Sequence, residues 1–389
     1  MAWMTGAQAL AVLGVQPQTL YANVSRGRIR AKPDPKDSRR SLYNSEDVER
    51  LASRPAGRRP AASVAAAAIV WGDPVLASSV STSERGRLWY RGRDAVTLSE
   101  SAGLEEVASL LWETGDILFG RGQNAGPPAE VASSALEAAL IVLSRRAGAA
   151  APSLGRSRAV LVAEAADLVD DVVAAMLGPA SASRGLLHQR LAAAWRAPEA
   201  EDVLRRTLVL LADHELNAST FAARVTASTG ASLSACLLSG LATLAGPLHG
   251  GATTQVRLLA AAARQLGVES AVGDWLAGGR LLPAFGHPLY PDGDPRALEL
   301  FEHFTLRPTF AELRAAAAAS TGEQPNVDFA ISAMADAFDL PPEAPFVLFA
   351  VARSVGWIAH SLEQLSTGTL IRPRARYAGP PLGALSAPK

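Results

Sequence analysis

Apolar residues recur three and four apart through most of the chain. The segments 103–114, 132–148, 157–176, 185–195, 201–212, 217–228, 231–244, 252–265, 308–319, 326–338 and 344–364 each show this spacing, and each is predicted to be a helix. Gly and Pro mark breaks between them, as at 125–128 and 178–179. A two-residue alternation is confined to Ala77–Arg91, where Ser-Val-Ser-Thr is followed by Gly-Arg-Leu-Trp-Tyr, and predicts a short hairpin. No repeat of about 20–50 residues and no sustained heptads occur, which excludes solenoids and coiled coils. The fold class expected from residue 64 onward is therefore mainly α.

The first fifty residues follow another pattern. Met4–Val15 has helical spacing, and Gln18–Arg26, stopped by Gly27, fits a second helix. Arg28–Lys32 and Arg40–Tyr43 flank a Pro-Asp-Pro turn at 33–35 and predict a two-stranded wing. Ser45 followed by Glu46 and Asp47 reads as the N-cap and acidic first turn of a third helix. A Pro/Arg/Ala linker, RPAGRRPAAS at 54–63, separates this unit, residues 1–53, from the rest, and the tail 379–389 is expected to be loose.

Composition sharpens that division. Of 389 residues 49% are hydrophobic and 19% charged, enough for a sizeable core and too few charges for disorder. Lys+Arg and Asp+Glu number 37 each, yet residues 1–60 carry a net +6 and the remainder a net −6. A small basic module on a larger acidic body is implied. The 34 Arg against 3 Lys reflect base composition rather than chemistry. A single cysteine, Cys236, in the apolar run LSACLLSGLATL, excludes an internal disulfide and reads as a core residue. No run reaches the roughly 18 uninterrupted apolar residues of a membrane span, the nearest lying around 64–71. MAWMTGAQALAVLGV lacks the basic start of a secretory signal, so a cytoplasmic location is expected.

None of the six histidines falls in an HExxH or Cys/His zinc spacing, and Asp213-His214-Glu215 places adjacent side chains on different helix faces, so no metal site is expected. The glycines of GRGQNAG, 120–126, follow a helix and precede Pro-Pro, which makes them a loop rather than a dinucleotide fingerprint. Three segments stand apart. GPLHGGATTQV, 246–256, sets His249 among glycines before a helix, AFGHPLYPDGDPRA, 284–297, sets His287 in a Gly/Pro-rich loop ahead of Arg296, and PNVDFAISAM, 325–334, sets Asp328 in the first turn of an apolar helix. Taken singly, each fits a packing or capping role. Together they supply two histidines, a carboxylate and arginines, the set needed to take a proton from carbon and hold the enolate against an anionic partner.

These segments, with ADHELNASTFAARVTASTG (212–230), ARSVGWIAHSLEQ (352–364) and IRPRARY (371–377), resemble the ordered motifs of the citrate synthase family, and ERGRLWYRG (84–92) resembles its N-terminal hairpin. The resemblance runs from about 64 to 380 and implies a large helical domain, 64–251 and 336–380, with a small domain, 252–335, that closes over the substrates, leaving 381–389 as tail. It implies condensation of acetyl-CoA, or propionyl-CoA in a 2-methylcitrate synthase, with oxaloacetate, and no metal or redox cofactor. By the same resemblance Asp328 is the base, His249 the donor to the thioester oxygen and His287 the donor to the ketone. His214, Arg296 and Arg353 are then oxaloacetate contacts, and Arg372 reaches the neighbouring site of a homodimer. One departure matters. Positions following the loop histidine that are often basic in the family and face CoA phosphates are Pro288 and Pro291 here, with Asp292 next. The change removes positive charge and stiffens the loop, leaving Arg280 or Arg257 as alternative phosphate partners, or a weaker grip on CoA.

TLYANVSRGRIRAKPDP and RRSLYNSEDVERL, within 19–51, are similar to the winged helix-turn-helix of MerR-type regulators and excisionases. Arg26, Arg28, Arg30, Lys32, Arg39 and Arg40 are the candidate phosphate contacts, with Gln18, Thr19, Tyr21 and Asn23 near base edges. The alternative is a basic module that docks on the acidic body and shapes the oligomer. A third functional reading follows, a metabolite-sensing DNA-binding regulator that kept the fold and lost the rate.

Overall fold

The computed structural model describes residues 3–13, 20, 24, 29–34, 37–52, 76–120, 132–178, 185–375 and 377–379. They fall into two compact units, Met1–Ala77 and Ser78–Lys389. In the first, strands β1 (Trp3–Thr5), β2 (Ala31–Asp34) and β3 (Asp37–Asn44) form an antiparallel sheet ordered β1-β3-β2, accompanied by helices α1 (Gly6–Leu13) and α2 (Ser45–Ala52). The helix expected from Met4 starts instead at Gly6. Thr5 and Gln8 form a reciprocal cap, Gln8 N donating to Thr5 Oγ1 at 3.4 Å and Thr5 N to Gln8 Oε1 at 2.8 Å, which frees Trp3–Thr5 to pair with Leu42–Asn44. Ala9, Leu20, Ile29, Tyr43 and Val48 make the core. The helix expected at Gln18–Arg26 lies largely, and the linker 54–63 wholly, outside the described residues.

The second unit opens with the antiparallel strands β4 (Ser81–Glu84), β5 (Arg87–Tyr90) and β6 (Arg93–Asp94), then continues in helices. These are α3 (Ala95–Ser99), α4 (Leu104–Leu111), α5 (Ala135–Ala149), α6 (Arg158–Leu177), α7 (Leu187–Trp195), α8 (Glu201–Leu211), α9 (Ala218–Ser228) and α10 (Leu233–Leu244). There follow α11 (Ala252–Leu266), α12 (Val268–Ala277), α13 (Pro295–Phe301), α14 (Pro308–Thr321), α15 (Val327–Ala337) and α16 (Ala344–Thr367). Side-chain caps from Ser134, Ser157, Asn217, Ser232, Asp294 and Asn326 set the starts of α5, α6, α9, α10, α13 and α15. Of these helices α3, α12 and α13 were not expected from periodicity. The first and last are five and seven residues long, and α12 carries Gly273 between Gly267 and Gly278.

Two hydrophobic cores organise this unit. The larger unites the hairpin with α4–α10 and α16, and the smaller packs α11, α12 and α14 around Trp275, Phe310 and Phe329. Helix α15 belongs to both. Val327, Ala330, Ile331 and Met334 face the large core, and Phe329 and Ala333 face the small one, so the apolar helix that begins at Asp328 is the seam. Helix α16 has the length and hydropathy of a membrane span, but 94% of its most apolar window is buried within the protein, as befits a central core helix. It is crossed closely at two glycines. A Cβ on Gly240 would come within 2.7 Å of the Trp357 ring, and one on Gly356 would collide with Ala212 O and the Asp213 side chain. That second crossing brings the end of α8 against the turn of α16 next to Arg353.

Candidate active site

The large-core wall is built from α16 and the segment after α8. Arg353 is 1% exposed, and its Nε donates to Leu211 O at 2.9 Å while Nη2 meets no acceptor among the described residues. The guanidinium lies 4.9 Å over the Phe349 ring. Burial pulls its pKa down to about 10, against the pull of Asp213. A buried cation with an unpaired Nη2 is a costly arrangement, and a carboxylate with two acceptor oxygens is the kind of partner its geometry suits.

His214 is pinned from both flanks by the hairpin. Ser81 Oγ bonds Asp213 Oδ2 and accepts from Glu215 N at 2.9 Å, and Glu215 Oε1 accepts from Thr82 Oγ1 at 3.1 Å and from Ser83 N. Glu215 takes the left-handed conformation, φ 51°, that this double clamp requires. Behind it, His360 Nε2 donates to Asp213 Oδ2 at 3.1 Å while His360 Nδ1 accepts from Arg224 Nη1 at 3.3 Å. Burial pushes the Asp213 carboxyl up, and His360 and Arg353 overcome it and hold it below the ordinary value.

The small-core wall is a loop zipped to the start of α15. Gly286 N donates to Gln324 O at 2.8 Å, Asn326 N to Ala284 O at 2.9 Å and Asn326 Nδ2 to Gly286 O at 3.1 Å, which sets His287 beside the turn that leads into Asp328. His287 Nδ1 accepts from Leu289 N at 3.2 Å, so its ring proton resides on Nε2. Arg296 is engaged by Asp294, whose Oδ1 accepts from Nε at 2.9 Å and whose Oδ2 accepts from Nη2 at 2.7 Å and from Val327 N at 3.0 Å. Burial alone would lower Arg296, and the Asp294 carboxylate reverses this and raises it.

His249 and Asp328 stand at the N-terminal ends of α11 and α15. A turn in which His249 N donates to Gly246 O at 3.0 Å and Ala252 N to His249 O at 3.0 Å presents the ring. Its Nε2 meets Ser219 Oγ at 2.8 Å, and that hydroxyl also accepts from Trp357 Nε1 at 3.1 Å. Ser219 Oγ also donates to Asn217 Oδ1 at 2.7 Å, so its one proton alternates between Asn217 and His249, and when it turns to Nε2 the histidine proton is left on Nδ1. Asp328 N donates to the capping Asn326 Oδ1 at 3.0 Å, but the carboxyl Oδ1 is buried without a partner among the described residues. Burial raises Asp328 to about 6, against the opposing effect of Arg296. Burial lowers His249 and His287 to about 4 each and His214 well below its ordinary value, with Arg353 or Arg296 adding to it, so all three imidazoles are neutral near pH 7. The result is a largely buried cluster with neutral donors, two cations and one carboxyl poised to ionise near neutrality.

The structure thus gathers His214, His249, His287, Arg296, Asp328 and Arg353; the His214 and His287 rings lie 5.2 Å apart, and Asp328 feels Arg296 and Arg353. Arg372 is exposed in the coil after α16. Arg257 lines a cleft of about 500 Å³ between α11, α15 and the 340–346 turn, and Arg280 stacks on Trp275 at 3.9 Å. In the N-terminal unit Arg30 donates to Asp47 and Asn44, Lys32 sits 4.3 Å over the Trp3 ring, and Arg39 and Arg40 lie on β3; Arg26 and Arg28 are outside the described residues. Among the described residues no group of three His, Cys, Asp or Glu could hold a metal. Sequence reading missed Ser219, Tyr290 and Asp294. Only Asp294 carried a local signal, an Asp-Pro-Arg in which an N-cap precedes a proline at N1.

Residues 127–374 match the family described as "Citrate synthase, C-terminal domain". The chain is 37% identical over 196 residues to a citrate synthase of Synechocystis sp., covering 47% of this chain and 49% of that one. It is 33% identical over 185 residues to 2-methylcitrate synthase 2 of Corynebacterium glutamicum, covering 45% and 48%. The chain therefore spans about half the length of the curated relatives it matches. Its fold is like that of citrate synthase from Thermoplasma acidophilum, solved as a ternary complex with carboxymethyl coenzyme A and oxaloacetate, with TM-score 0.65 and 22% identity over 81% of this chain and 96% of that one.

Proposed function

The chain belongs to the citrate synthase family, and on that premise we propose that it condenses an acyl-CoA with oxaloacetate, converting acetyl-CoA, oxaloacetate and water to citrate and CoA. The observation that carries this reading is the Asp328 carboxyl at the start of α15, whose Oδ1 is buried without a partner among the described residues and which burial raises to about 6. As a carboxylate Asp328 takes a proton from the acyl methyl carbon, and the neutral His249 donates to the thioester oxygen that gains charge. The enol carbon then attacks the ketone carbon of oxaloacetate, whose oxygen receives the Nε2 proton of His287. Arg353, Arg296 and His214 hold the substrate carboxylates. Water adds to the resulting citryl-CoA and CoA leaves as the thiol. Closure of the 252–335 domain over the 64–251 and 336–380 body would expel water before the enol forms.

In this reading Arg372, exposed in the chain as it stands, completes the site of a second copy in a homodimer. Residues 1–53 act as a winged-helix-like accessory that contacts DNA phosphates; the three-stranded sheet with its exposed Lys32 supports this. Retention on duplex DNA that weakens with salt and falls with Arg28→Ala or Lys32→Ala would support it, and salt-independent behaviour would refute it. Relatives named for both citrate and 2-methylcitrate synthesis keep propionyl-CoA as an alternative substrate, since one methylene separates the acyl groups, worth about 1–3 kcal/mol. Thiol release from acetyl-CoA and from propionyl-CoA, each dependent on oxaloacetate, tests the proposal and ranks the substrates. No release with either, from protein that binds oxaloacetate, would move the assignment to a metabolite-sensing regulator.

A further inference from the structure

Tyr290 is 2% exposed and touches three members of the cluster. Its hydroxyl is 2.9 Å from His214 Nε2, its ring lies 4.9 Å from that of His287, and the Arg296 guanidinium is 5.6 Å over its face. Two successive turns put it there. Tyr290 N donates to His287 O at 2.9 Å across Pro288-Leu289, and Gly293 N donates to Tyr290 O at 3.1 Å across Pro291-Asp292. In each turn the proline occupies the second position, where its fixed φ is already that of the turn, and Gly293 closes the second one at φ 119°. His287 and Tyr290 each precede a proline, which confines their own backbones to extended conformations. The two prolines of this loop therefore hold the two side chains that face His214.

We propose that the Pro288 and Pro291 double turn makes Tyr290 a positioning residue, whose hydroxyl donates to His214 Nε2 and fixes that imidazole as an Nδ1–H donor for a substrate carboxylate. This rests on reading the pocket as an oxaloacetate site. Burial pushes the Tyr290 phenol up, with a hydrogen bond from Ser83 opposing it, so it keeps its proton; His214 is neutral, so one ring nitrogen accepts, and in the proposal that role falls to the Nε2 that faces the phenol. A carboxylate accepts hydrogen bonds and donates none, so the opposite tautomer, with a bare Nδ1, would repel it.

The test uses the full chain. Long-range ¹H–¹⁵N spectra of the histidine rings, with His214 assigned from a His214→Gln variant, should show the Nδ1–H tautomer in the wild type and a mixture in Tyr290→Phe. That variant keeps the ring, and therefore the packing on His287 and Arg296. The Kd and KM for oxaloacetate should rise about tenfold, the loss of one buried hydrogen bond, with kcat within about threefold. A Pro288→Ala/Pro291→Ala variant should move both readouts in the same direction by a smaller factor. A wild-type His214 protonated on Nε2, or a Tyr290→Phe protein with unchanged tautomer and Kd, overturns the proposal. A protein that binds no oxaloacetate at all would refute the functional reading instead, while the ring signals of the free protein would still decide this one.

Discussion

Arg296 and Arg353 are both almost completely buried, and they lie on opposite walls of one pocket in opposite electrostatic states. On the small-core side Arg296 shares a bidentate pair with Asp294, which also ties down Val327 N at the start of α15. On the large-core side Arg353 Nε donates to Leu211 O, and among the described residues its Nη2 finds no acceptor. The first is raised by its counter-ion and the second lowered by burial. One cation is thus compensated within the fold and orders the loop that carries His287. In the proposed reading the other is left for a substrate carboxylate. Removing a partner from the first should damage the fold, whereas neutralising the second should damage binding and relieve the fold.

The largest effect should come from Asp294→Asn, which leaves a buried guanidinium without its carboxylate. Unfolding in denaturant should show a loss of about 3–5 kcal/mol. Arg353→Met should lower oxaloacetate affinity about 100-fold by calorimetry, or about 2.7 kcal/mol, while its midpoint in urea stays level or rises. A midpoint that falls as far as that of Asp294→Asn would erase the contrast between the two walls. Asp328→Asn should lower turnover about 1,000-fold yet stabilise the protein at pH 8 by about 2 kcal/mol. A carboxyl whose folded value, about 6, exceeds its ordinary 3.8 favours folding below that ordinary value and loses the contribution as pH rises through about 6. The gain in the variant should therefore shrink as pH falls from about 6 and vanish below about 3.8. The smallest effect should be that of Gly240→Ala, about 1–2 kcal/mol from crowding Trp357. Its thermal midpoint should fall with oxaloacetate affinity unchanged, because α10 backs the pocket without entering it.

The same contrast explains what could be read from the chain. Long periodic helices such as α6, α11 and α16 are stated by their own apolar spacing, and their ends fall within a few residues of the expected positions. The short α3 and α13 hold too few turns to establish a period, and α12 is diluted by glycine. At Trp3–Thr5 a distant strand partner overrode a helical pattern. Side chains announced by an unusual local setting, His249 among glycines, His287 before proline and Asp328 at a helix start, stood out without coordinates. Ser219 and Tyr290 did not, because their importance lies in contacts made 30 and 76 residues away along the chain. Asp213 is similar; it reads as a neighbour of His214 until His360, 147 residues on, closes on it.

The central claim is that a desolvated Asp328 does the proton abstraction. The most direct measurement is the pH dependence of kcat/KM for the acyl-CoA at saturating oxaloacetate, followed by thiol release. A rise with unit slope that levels off above about pH 6, and is absent from the residual rate of Asp328→Asn, is the predicted result. A profile flat from pH 5 to 8, or one whose rising limb persists unchanged in Asp328→Asn, would contradict it.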